Sequence, residues 1–244
     1  MNLKGGVIII GSLLWDNEER EKWREENLRC SEKFQVYLPI RYGRCSTSRE
    51  NTYTMVFSNE CCSENKLGKG WIIPLKKEID SFEALKREAW AMGKAEKFDQ
   101  GLYDNWGSVA LLLNPNKEID PAIKEEWREL LSTNDHISDL EKAQTNNEQP
   151  VIDSNGLLTI SWPEEIKSDN KIGELDLLIA TVTKPTFIKG QYPTASQIAN
   201  AMNKVNYYKY FRQNIKHKIT TSQDEKILKN IPENIKMGIS NLST

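Results

Sequence analysis

The sequence predicts an α+β protein. Short β-rich runs dominate the first half, one central helix interrupts them, and amphipathic stretches close the chain. This order is not the strict strand–helix alternation of a doubly wound parallel sheet.

The first element is the apolar, β-branched run Val7-Ile8-Ile9-Ile10, which reads as a buried strand. Gly11-Ser12 ends it with a turn pair, followed by Leu13-Leu14-Trp15. A buried strand closing in such a turn can hold an anion or a carbonyl oxygen on backbone N–H groups. Residues 17–28 are dense in charge and read as an exposed helix or loop. Phe34 to Ile40 is a strand ending near Pro39, and Arg41-Tyr42-Gly43-Arg44 is a basic turn. Thr52 to Phe57 and Gly70 to Leu75 are strands, separated by a polar loop.

Asp80-Ser81 caps a helix starting at Phe82, with Phe82, Leu85, Ala89 and Met92 as its inner stripe. Gly93 ends that helix, or it runs on to Phe98. Trp106 to Leu113 is a strand stopped by Asn114-Pro115-Asn116. Pro121 to Leu131 is an amphipathic helix with Ile123, Trp127, Leu130 and Leu131 inward. Residues 132–154 are polar and read as irregular. Leu157 to Trp162 and Leu175 to Thr183 are strands. A helix from Thr194 to about Lys218 follows, then a capped short helix through Ile231.

Composition narrows the function classes. The 244 residues carry 33 Lys+Arg against 35 Asp+Glu, a net charge of -2. Nothing in that balance drives the chain to nucleic acid or an anionic membrane. The aromatic and basic run from Asn203 to Arg212 could stack single-stranded nucleic acid, but reads more simply as an amphipathic helix. The apolar stretches are too short to span a bilayer, and no signal-peptide pattern opens the sequence, so a cytoplasmic protein is expected. Four cysteines and two histidines show no metal-ligand spacing, so no metal is expected. Arg41, Arg44 and Arg49 surround Gly43 and Ser46, a grouping suited to carboxylate or phosphate.

Gly11-Ser12-Leu13-Leu14-Trp15 after an apolar strand resembles the signature loop of the γ-glutamylcyclotransferase-like superfamily, closest to its ChaC-type branch. Gly70 to Leu75 followed by Ser81 to Ala89 resembles that family's later strand and helix turn, across roughly residues 5–115. Ile10 stands where the family's loop has tyrosine, and Tyr42 is one candidate for supplying the missing hydroxyl. The resemblance implies a small mixed β-barrel or curved sheet with helices around it over residues 1–185, and a C-terminal helical extension over 186–244. It also implies an enzyme that cyclises a γ-glutamyl amide to 5-oxoproline, releasing an amine without a cofactor. Gly11, Ser12, Leu13 and Leu14 would bind this small γ-glutamyl-type substrate, and Glu88 would be the general acid/base. Glu83 is the reserve for that role, and Glu96 competes for it. The alternatives are a non-catalytic partner-binding protein on the same fold, or an amine-transfer enzyme on that scaffold.

Overall fold

The computed structural model describes residues 2–132, 135–144, 149–167 and 169–240. It is a mixed α+β structure built on a seven-stranded sheet, with a two-stranded hairpin beside it. The strands are β1 Gly5–Ile9, β2 Phe34–Leu38, β3 Ile40–Ser46, β4 Thr52–Phe57, β5 Gly68–Pro74, β6 Tyr103–Asp104, β7 Gly107–Leu113, β8 Glu164–Glu165 and β9 Leu177–Thr183. The main sheet runs β6-β7-β9-β1-β5-β2-β8, and β3-β4 is the hairpin. Its pairs are antiparallel except β1 with β9, which align Val7 with Ile179 and Ile8 with Ala180. β1 and β9 are buried along nearly their whole length, which explains their continuous apolar character.

Eight helices are present among the described residues. α1 (Glu19–Asn27) packs on α2 (Phe82–Glu96), which also meets β7. α3 (Pro121–Ser132) packs on α4 (Asp135–Gln144). α5 (Ala195–Val205) lies against β4 and α7 (Asp224–Lys229), and α6 (Lys209–Lys216) against α8 (Glu233–Ser240). One apolar cluster joins all these layers, from Val7 and Ile179 to Phe211 and Ile239. The C-terminal helices therefore share the core of the sheet rather than forming a separate one.

Several local expectations are corrected. Arg41 to Arg44 lies within strand β3 rather than a turn, with a bulge between Tyr42 and Arg44 that puts Gly43 out of register. Leu157 to Trp162 makes only isolated bridges, at Leu157 and Leu158. The 132–154 stretch contains α4, while 133–134 and 145–148 lie outside the described residues. The helix expected from Thr194 to Lys218 is two helices, broken where Asn206 takes a left-handed φ of 53°. Gly93 does not end α2: a Cβ there would sit 1.6 Å from the carbonyl oxygen of Gly101. Its role is close approach, since it lets the turn after the helix fold back onto it.

Candidate functional site

A cavity of about 340 Å³ opens where the parallel strands β1 and β9 reach their C-terminal ends. Open sheets commonly bind ligands at such ends. The cavity is lined by Ile10, Gly11, Ser12 and Leu13 after β1, and by Thr181 and Thr183 on β9. The β3–β4 hairpin adds Arg44, Ser46, Arg49 and Thr54. Helix α2 contributes its last residue, Glu96, and α6 contributes Tyr210.

Residues Ser12–Leu14 form one 3-10 turn, in which the Leu14 and Trp15 N–H groups donate to the carbonyls of Gly11 and Ser12. The first N–H groups of such a turn have no partner within it. Those of Ser12 and Leu13 make no hydrogen bond among the described residues. Arg24 fixes this turn from behind, donating to the Leu13 carbonyl at 2.6 Å and the Asp16 carbonyl at 2.8 Å. Leu14 differs from its neighbours: it is buried in the core and does not line the cavity. Leu14 is therefore not brought together with Gly11, Ser12 and Leu13 at the cavity, because the turn aims its side chain inward.

Gly11 sits under Tyr210. A Cβ at position 11 would come within 2.5 Å of the Tyr210 hydroxyl. That hydroxyl accepts the Met55 N–H at 3.2 Å, and burial pushes its pKa above the usual phenol value. A tyrosine hydroxyl therefore does reach the loop, from position 210 rather than 10 or 42. Tyr42 is buried in the core against Phe211.

The carboxylate in the cavity is Glu96, with its side chain 13% exposed. Arg20 Nη2 donates to Glu96 Oε2 at 2.7 Å, and the Thr181 hydroxyl donates to Oε1 at 3.3 Å. Arg20 also donates to Ser12 Oγ at 2.7 Å and to Asp16 at 2.9 Å, so one guanidinium ties the loop to the carboxylate. Arg49 completes the network with a 2.8 Å bond to Asp16. Burial pushes the Asp16 carboxyl up, but the Arg49 hydrogen bond and the charges of Arg49 and Arg20 outweigh it, leaving Asp16 below its usual value.

Glu88 lies elsewhere. It does not line this cavity, and its neighbouring charges are Lys77 and Arg87. Burial raises its carboxyl above the usual range, and Oε2 has no hydrogen-bond partner among the described residues. The geometry thus separates Glu88 from the Gly11–Leu13 turn it was expected to face. The reason is position along α2. Glu88 borders the buried Leu85, Ala89, Met92 stripe, but Glu96, the last residue of the helix, lies about 12 Å further along its axis, at the end that meets the cavity. Glu83 is exposed and pairs with Lys86.

No family model, no curated protein and no solved structure matches this chain.

Three of the four aromatic residues of the 203–212 run turn away from solvent. Tyr208, Tyr210 and Phe211 are buried, while Tyr207 is half-buried and lines a surface pocket with Lys209, Arg212 and Lys216. No helix among the described residues is long and apolar enough to cross a membrane. Arg20, Arg24, Asp16, Thr181 and Tyr210 escaped sequence reading, because their roles depend on partners distant in the chain.

Proposed function

We propose that this chain is a γ-glutamylcyclotransferase-like enzyme that closes a γ-glutamyl amide into 5-oxoproline and releases the amine. The observation that carries this reading is Glu96, which shares one cavity with Ser12 and Leu13, whose N–H groups make no hydrogen bond among the described residues.

The reaction needs the substrate's α-amine brought onto its own γ-carbonyl, which is chiefly a positioning problem. In this reading Ser12 and Leu13 donate to the oxygen that gains charge as the ring closes. Glu96 Oε1, which accepts from the Thr181 hydroxyl, takes the proton from the attacking ammonium and passes it to the leaving nitrogen. Arg20 keeps the other oxygen fixed, so the carboxylate meets the substrate in one orientation. The cavity is open rather than plugged. Trp90 is 42% exposed on the surface, and Trp15 is turned into the core with its Nε1 donating to Asn214. That favours a catalytic over a purely partner-binding role.

The test is 5-oxoproline formation from a panel of γ-glutamyl amides. Glu96→Gln is expected to lose about 100-fold or more in kcat, while Glu88→Gln keeps the wild-type rate. Hydroxylamine in the same assay separates cyclisation from amine transfer, since transfer gives a hydroxamate instead of the lactam. Wild-type rates in Glu96→Gln would sink the assignment, as would a wild-type protein that turns over no member of the panel.

A further inference from the structure

Three arginines line the cavity, and two are already engaged. Arg20 is bonded to Glu96 and Asp16, and Arg49 to Asp16. Two cations thus face two anions and nearly cancel. Arg44 is different. It forms no ion pair among the described residues, although desolvation by its surroundings lowers its pKa from the usual guanidinium value. Its guanidinium carbon lies over the Trp106 ring, 4.1 Å from the centroid. A ring beneath a guanidinium fixes its plane and leaves its edge donors free for an anion. Thr183, two residues beyond Thr181 on β9, lines the same cavity, and its Oγ1 is buried without a hydrogen-bond partner among the described residues. A buried hydroxyl left unpaired costs free energy, and a ligand oxygen would satisfy it.

We propose that Arg44 and Thr183 form a carboxylate subsite of this cavity, so that its ligand is a small monocarboxylate. Lys97, the other cation of the lining, is paired with Glu19 at 3.9 Å, which leaves the charge of Arg44; that suits a monoanion, and the nearby Glu96 disfavours a dianion such as phosphate. The guanidinium fork matches the two oxygens of a carboxylate. Of the arginines grouped in the sequence, Arg41 is excluded from this role, since it pairs with Glu60 outside the cavity. The subsite belongs to the cavity of the proposed reaction and rests on that reading for the choice of probe.

The experiment is calorimetric binding of 5-oxoproline and of its uncharged amide. Wild-type protein is expected to prefer the acid by about 10- to 100-fold. Arg44→Gln is expected to remove that preference, and Arg44→Lys to keep part of it, because charge without the fork binds less well. Thr183→Val leaves every charge in place and is expected to weaken acid binding several-fold, which keeps the proposal testable if the arginine variants fold poorly. Equal affinity for acid and amide in the wild type overturns the subsite, as does a preference that survives Arg44→Gln, or binding by neither compound up to about 10 mM. The two readings fail separately. A protein that prefers the acid but never forms 5-oxoproline loses the reaction and keeps the subsite. Turnover that depends on Glu96 with no acid preference does the reverse.

Discussion

Arg20 donates to Glu96 at 2.7 Å from one end of its fork and to Ser12 Oγ at 2.7 Å from the other. One side chain on α1 thereby sets the distance between a loop after the first strand and the end of α2. Its Nε also donates to the Ala95 carbonyl at 3.0 Å, which locks the guanidinium plane. Both partners of the ion pair are mostly buried, so removing one leaves the other desolvated and alone.

Arg20→Ala is therefore expected to cost about 2–4 kcal/mol, less than a fully buried pair because some solvent reaches the site. Urea unfolding of the variant against wild type measures it. A change below about 0.5 kcal/mol would show the bridge to be incidental.

Gly11→Ala pushes a methyl group toward the Tyr210 hydroxyl, 2.5 Å away. The expected loss is about 1–3 kcal/mol, since Tyr210 is packed and cannot swing aside. Tyr210→Phe by itself leaves the Met55 N–H unsatisfied and costs a similar amount. Without the hydroxyl the nearest atom to the new methyl is the ring carbon at 3.5 Å, so the double variant is expected to lose less than the sum. Additive losses in that cycle would place the clash elsewhere.

Asp224 is buried and accepts from the Thr221 hydroxyl at 2.6 Å and its N–H at 3.1 Å. Burial outweighs these bonds and raises its pKa from 3.8 to about 6. The folded state thus holds the proton more tightly than the unfolded chain. The stability this contributes is complete below about 3.8 and is lost as pH rises through about 6. Asp224→Asn keeps the shape and cannot ionise. Its urea midpoint is expected to fall less than that of wild type between pH 4 and pH 6.5. Parallel midpoint curves for the two proteins would contradict this.

The C-terminal helices are expected to be needed for folding. Phe211 is 1% exposed within the common core, Trp71 Nε1 donates to the His217 carbonyl at 2.8 Å, and Lys69 bridges Thr220 beside β5. A chain ending at residue 185 loses these contacts and strips Tyr210 from the cavity. Circular dichroism with a urea titration is expected to show no cooperative transition. A sharp transition would show that residues 1–185 stand alone.

Much of the strand pattern was legible because β1, β4, β5, β7 and β9 are apolar, β-branched and bounded by turn residues. Strand β3 was hidden: arginines and Gly43 mark a turn locally, and only pairing with β4 across a bulge makes the segment extended. Glu96 was readable in principle. It continues the Leu85, Ala89, Met92 stripe, and a carboxylate on an apolar stripe points inward. The neighbouring Glu88 drew attention through Ala89 and Trp90 beside it in sequence; it borders the same stripe, but about two turns short of the helix end that meets the cavity.

By itself the sequence determined the α+β class, the buried first strand, the Gly11-Ser12 turn after it and the inner stripe of α2. These rest on local periodicity and turn chemistry, which few residues suffice to encode. Only the tertiary structure decided that Glu96 rather than Glu88 meets that turn, that Arg20 joins them, that Arg44 is left without a counter-ion among the described residues, and that Tyr210 closes the cavity from the far end of the chain. Those are choices of partner across as many as 199 positions, the separation of Gly11 and Tyr210 (210 − 11). Ion pairs and close contacts at such separations carry no local signature, because they form only when packing brings the elements together.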